Sequence, residues 1–315
     1  MSEKFFRHVP LPIAGLMLGM AGLGNLIEAY GSHYRYLVGL LSLLIGILLV
    51  VRLYFDFQGI REDLEDPLKA SVSLTFSMAV IILASYLLNI SYPLAVAIWY
   101  GGIVLHLLLA VLFSLKFLPG LSLEQVFPSY FIVYVGIVVA SVSAPAFERF
   151  LVGQYLFWLG FAGYMFFLPV VSYRIFRLGE LKKPALPTLS IFTAPAGLCL
   201  AGYISAFAEY NILMLGWLSF LTLISITGVI IYLPEMLSVG FNSGFSAFTF
   251  PYIITAIGLK SVSEHLTERF AFFILRVPAR AVEVLAIILS IYVFIRYVIF
   301  LFKIRRQQSY QRSET

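Results

Sequence analysis

The chain has 315 residues, of which 61% are hydrophobic and 12% charged, with a formal net charge of +5. A soluble chain carries about 25% charged residues, so this composition excludes a soluble globular protein and points to lipid as the solvent. One cysteine, Cys199, excludes an intrachain disulfide and a cysteine metal cluster.

A membrane-crossing helix needs roughly 20 apolar residues. Ten stretches qualify: 10–30, 33–53, 69–90, 93–117, 128–146, 150–176, 187–208, 210–234, 241–263 and 276–303. The loops between them are short, which predicts one membrane domain over 1–315, and the first run reads as span 1 rather than a cleaved signal. Span 1 carries Gly15, Gly19 and Gly22 on one helical face. Span 3 groups Ser71, Thr75 and Met78, and span 4 holds His106, the one histidine expected to be buried in a span. Span 5 aligns Gly136, Ala140 and Ser143, and span 7 aligns Ala194, Gly197, Ala201 and Ser205. Pro145, near the end of span 5, and Pro195 and Pro251, well inside spans 7 and 9, each remove a backbone donor and predict a kink. In span 9, Phe241, Phe245 and Phe248 form a stripe suited to packing on span 10. Phe250 points away from it, on a face of Ser243, Ser246 and Ala247, where one bulky ring is placed to plug a lumen. Span 10 holds Glu283 and Arg296, read as interfacial or snorkelling side chains.

The three tryptophans, Trp99, Trp158 and Trp217, stand 59 residues apart, and the same interval separates Pro128 from Pro187. Such a period of about two spans predicts a structural repeat. Two spans return the chain to one side, so the units are parallel. They form five helical hairpins at about 10–53, 69–117, 128–176, 187–234 and 241–303. The expected architecture is an all-α membrane protein of ten helices with quasi-fivefold order around a central pore; irregular packing is the alternative. The odd spans, richer in small residues and prolines, are the expected inner set, although small residues at this spacing also serve close helix packing. With both termini cytoplasmic, that side collects fourteen Lys and Arg residues against six outside, with Arg296 inside span 10. This excess supports that orientation, places the tryptophans toward the outer interface, and accounts for the positive charge without nucleic acid. Loop 56–68, rich in Asp and Glu, reads as a solvated cytoplasmic connection.

No enzyme signature is present: no HExxH, no paired carboxylates within a span, no phosphate-binding glycine loop and no Ser/His/Asp set. Neither a metal nor a cofactor is expected. Intramembrane ionisable groups are functional suspects, but the inner-set spans offer no relay of carboxylates or histidines for proton coupling. A wall of small, uncharged residues suits a weakly selective pore, since conduction needs binding strong enough to enter and weak enough to leave. Selectivity for anions would then come from hydroxyls, pore water and the basic inner mouth.

Several segments carry a family resemblance: Pro10-Leu-Pro with Gly15 and Gly19, Pro128-Ser-Tyr-Phe with Gly136, Ala194-Pro-Ala-Gly-Leu198, and Phe248-Thr-Phe250. In this order the chain resembles the tellurite-resistance/dicarboxylate transporter family, which includes bacterial TehA and the plant guard-cell slow anion channels. The resemblance implies five hairpins, a pore lined by the odd helices, a homotrimer, and a phenylalanine plugging the pore at mid-membrane, matched here by Phe250. Ser246 and Pro251 depart from the Trp and Gly of bacterial relatives, and both tails are short. The implied function is a passive anion channel of the bacterial inner membrane, with small inorganic or organic anions and the lipid bilayer as partners. The alternative is a secondary carrier for dicarboxylates or oxyanions, proton-linked through His106.

Overall fold

The structure, a computed structural model, describes residues 3–178, 181–270 and 273–313. The side chains of Lys4, Arg269 and Arg312, counted in the orientation tally, lie outside those described. Among the described residues every regular element is helical. Nine helices among the described residues are long and apolar enough to cross a membrane: Ile13–Tyr30, Ser32–Phe55, Pro67–Leu87, Tyr92–Phe117, Phe150–Arg177, Lys183–Ala206, Ile212–Ser238, Ser243–Glu268 and Arg276–Arg306. The remaining expected span, span 5, is made of shorter pieces: Tyr130–Val135, Val138–Ser143 and a 3-10 turn, Ala144–Phe147.

Helix starts follow local chemistry. Asp66 accepts from the backbone N–H groups of Leu68 and Lys69 at 2.9 and 3.0 Å, with Pro67 in the first turn where its missing N–H costs nothing. Asn211 caps Ile212–Ser238 in the same way. Gly31 (φ 149°) lets the chain reverse between the first two spans, and Glu148 (φ 56°) ends the turn after span 5.

The odd spans are the inner set. Spans 1, 3, 7 and 9 bury 72–78% of their apolar windows, against 28–39% for the even spans. Span 1 touches span 3, span 3 touches span 5, and so on through span 9, which returns to span 1 and closes a ring. Each even span packs on its hairpin partner outside that ring. Its outward face is apolar, as with Leu37, Leu40, Leu44 and Ile47 on span 2, which is what lipid contact requires.

The inner spans share a discontinuity at one level. Helix geometry breaks at Leu74 in span 3, at Gly136–Ile137 in span 5, at the 3-10 to α change after Thr193 in span 7, and at Thr249 in span 9. Span 1 enters through the 3-10 bonds of Ile13, Ala14 and Gly15 to Pro10, Leu11 and Pro12. These positions recur about every 59 residues, the interval of the tryptophans. Hydroxyls donate to carbonyls at the breaks: Thr75 to Val72 O (2.6 Å), Ser77 to Leu74 O (2.7 Å) and Thr249 to Ser246 O (2.7 Å).

Several expectations change. Pro195 and Pro251 do not bend continuous helices; each sits in the first turn of the α-helical half that follows a 3-10 segment, where proline is tolerated. Pro145 lies in the terminal turn of span 5, beyond its helix. Trp158 and Trp217 are half exposed, but Trp99 is fully buried. Its N–H donates to Ser143 Oγ at 2.9 Å and its ring stacks on Phe147 at 5.0 Å, so protein rather than the lipid interface holds it. Glu283 does not snorkel: it is 2% exposed, 2.8 Å from Arg280 and 3.5 Å from Lys260, and accepts from Tyr30. Arg296 lies over the rings of Phe241 and Tyr292.

Loop 56–68 is also more than a solvated connection. It forms a short helix, Phe57–Asp63, whose last residue lies 2.7 Å from both Arg52 and Lys69; Arg52 is 4% exposed. Burial raises the Asp63 pKa, but hydrogen bonds from Lys69 and Arg52 outweigh it and hold the carboxyl below its ordinary range. A depressed carboxylate stabilises the fold above its unfolded pKa and loses that contribution as pH falls through the folded value. Asp63→Asn strips the buried guanidinium of its closest partner and is expected to cost about 2 kcal/mol, below the full value for a buried pair because the cluster is partly solvated. Thermal melts in detergent check this. The gap between wild type and variant should be full at pH 7 and narrow as the pH falls below about 4.

Candidate functional site

A cavity of about 920 Å³ opens among the N-terminal ends of the inner spans. Its wall includes Gly15, Thr75, Met78, Gly136, Ala194, Pro195, Ser243, Ser246, Ala247 and Pro251, with Phe250 at its end. Its rim carries Glu65, Asp66, Lys69, Glu124, Arg174 and Lys182. A second cavity of about 240 Å³ opens toward the other end, lined by Gly22, Asn25, Glu28, Arg35, Ser85, Ser143 and Phe250 among others. Among the described residues, Phe250 alone lines both.

The local fold explains how that ring is held. Phe250 is the first residue of its helix and is 5% exposed. Thr249 before it has φ −103° and ψ −89°, off the helical path. Its hydroxyl lies 2.7 Å from Ser246 O and 3.1 Å from Gly15 O, tying the break in span 9 to span 1. The glycine face of span 1 receives this break residue by residue. A Cβ on Gly15 would meet Ser246 Oγ at 2.8 Å, one on Gly19 would meet Thr249 Cβ at 2.4 Å, and one on Gly22 would meet Phe250 Cδ2 at 3.2 Å. The three glycines therefore seat the 3-10 to α junction and the ring that follows it.

Not every candidate lining residue faces space. Gly15, Thr75, Gly136, Ala194, Ser243, Ser246 and Ala247 line the larger cavity, and Ser143 lines the smaller. Gly19 is filled by Thr249. Ser71 is fully buried, 2.6 Å from Ser129 Oγ, and links spans 3 and 5. Gly197 lies against the backbone of Thr255, and Ala201 against Gly258, at a close crossing of spans 7 and 9. Ala140 is fully buried and lines neither cavity. Helical spacing selects a face but not its neighbour, and for Gly19, Ser71, Gly197 and Ala201 the neighbour is another span.

Residues outside the expected set also belong here. Thr249 sets the break before the Phe250 ring, which lies against Gly22 of the expected span-1 face, and Phe131 and Leu198 add apolar wall beside Met78 of the expected span-3 face. The Phe248-Thr-Phe250 segment was the sequence signal that could have pointed to Thr249. Within the wall, Thr75 and Thr188 direct their hydrogens to the helix carbonyls of Val72 and Ala185, both at 2.6 Å. Those hydroxyls are spent as donors, and the charges lie at the two ends. His106 is fully buried beside the break in span 3, its Nδ1 2.9 Å from Ser77 Oγ.

No individual curated protein matches the chain. The family model for SLAC1, described as a voltage-dependent anion channel, matches residues 8–303. That match spans all ten membrane segments up to the last turns of the final helix, and the chain belongs to the SLAC1 family, a family of membrane channels and transporters for anions.

Proposed function

We propose that the protein is a passive anion channel, with the two cavities as halves of one pathway and Phe250 as the constriction between them. The observation that carries this reading is that one aromatic ring is shared by a wide and a narrow cavity on opposite sides of it. Small and uncharged wall residues neither trap an anion nor repel it, and a hydrophobic ring of this kind closes a path by excluding water. The lysine and arginine excess supports an inner-membrane orientation with both termini cytoplasmic, so the wide cavity faces the cytoplasm. A homotrimer, each protomer with its own pathway, completes the proposal.

Planar-bilayer current in asymmetric chloride tests it. The reversal potential should follow the chloride gradient and ignore a pH gradient. A second reading, a carrier for dicarboxylates or oxyanions, is favoured by the buried His106 at the break in span 3. Saturable uptake driven by a pH gradient, lost in His106→Gln, would select the carrier instead.

A further inference from the structure

The narrow cavity contains one cation, Arg35, and one acid, Glu28, paired at 2.8 Å. The two are held very differently. Arg35 is anchored: its side chain is 16% exposed, one guanidinium nitrogen lies 3.0 Å from Ser85 Oγ, and the group sits over the Tyr86 ring at 4.5 Å. Tyr86 is itself fixed by its hydroxyl, which donates to Ala21 O at 2.7 Å. Glu28, with a side chain 47% exposed, makes one contact to the guanidinium and is free to swing toward water. Arg35 Nε and Asn25 Oδ1 are buried without a hydrogen-bond partner among the described residues. Rotation of the Asn25 amide exchanges its oxygen for an N–H donor. A fixed guanidinium and an adaptable amide converge on a space of about 240 Å³ directly beyond the Phe250 ring, where Ser85 spends its hydrogen on Ile82 O at 2.8 Å.

We infer that Arg35 forms a binding site for a small monovalent anion on the far side of Phe250, and that the Glu28 carboxylate is its displaceable internal occupant. The inference rests on the anion-pathway reading for its use in conduction, but not for binding itself. It supplies the selectivity that the wall lacks, because the Thr75 and Thr188 hydrogens there are committed to helix carbonyls. An anion arriving at Arg35 displaces Glu28 into water, and when it leaves the carboxylate returns, which keeps binding weak enough for release.

Two measurements test this. The first is thermal unfolding of the full chain in detergent, titrated with bromide against gluconate at constant ionic strength. Glu28→Gln should reduce the bromide concentration for half-maximal stabilisation about fivefold, the equivalent of one partly exposed ion pair. Arg35→Gln should abolish the bromide effect; Arg35→Lys, which keeps the charge, should retain part of it and serves where the glutamine variant fails to fold. The second is chloride conductance in a Phe250→Ala background, where Glu28→Gln should raise current at low chloride severalfold. Equal bromide responses in wild type and Glu28→Gln, or a bromide response that persists in a folded Arg35→Gln, would overturn the site. Bromide responses that follow the charges in a protein that carries no chloride current would keep the site and discard the pathway.

Discussion

Phe250→Ala is expected to raise chloride conductance about a hundredfold over wild type, the equivalent of removing roughly 2.8 kcal/mol from the barrier. The ring is the one described side chain common to both cavities, and its removal joins about 920 Å³ to about 240 Å³ of space. The ring lies against Gly22, which offers no polar side chain to take its place. A conservative Phe250→Leu, bulky but not flat, should give an intermediate current. The change costs stability too, but less than the full 3–5 kcal/mol of a core Phe→Ala, because parts of the ring already border open space. Single-channel or macroscopic current in asymmetric chloride reads the effect directly. A wild-type-sized current in the alanine variant would place the constriction elsewhere.

Gly197→Ala is expected to destabilise the protein by about 3 kcal/mol, the upper range for forcing one methyl into a packed site. The added Cβ would lie 2.7 Å from Thr255 Cα, a backbone atom that no rotamer change can move. A Cβ on Gly258 would in turn meet Gly197 O at 2.7 Å, so the crossing of spans 7 and 9 is tight from both faces. Close approach of this kind is what small residues supply in lipid, where apolar surface alone gives no drive to associate. A melt in detergent should show a midpoint lower by about 5–10 °C. Gly216→Ala and Gly228→Ala in span 8, where nothing lies within 4 Å, are the controls and should be neutral or slightly stabilising.

Much of the architecture was legible in the chain because lipid imposes it. Long apolar runs and the 59-residue period lead to parallel hairpins, and the concentration of small residues in odd spans leads to the inner ring, since only small residues let five helices approach a common axis. What escaped was set by partners distant in sequence. Helical spacing put Gly19 and Gly197 on the same faces as Gly15 and Ala194, yet Thr249 and Thr255 fill the space before them. Trp99 shares its period with Trp158 and Trp217 but meets Ser143 and Phe147, which only the folded ring brings near. The prolines signalled irregular backbone correctly in kind, but the 3-10 segments that precede Pro195 and Pro251 depend on hydroxyl-to-carbonyl bonds invisible to a proline rule. Arg35 carried no signal beyond its charge; its meaning comes from the cavity around it.

Closure of the inner ring between the ninth and first spans has a consequence for biogenesis. The seam joins groups 234 residues apart, Thr249 and Gly15, and contacts of such separation form late. The fifth hairpin thus delivers the closing side of the inner ring and Phe250 together. Until it arrives the inner ring has a gap that lipid can fill, and on the channel reading proposed above the ring closes only with its constriction already in place.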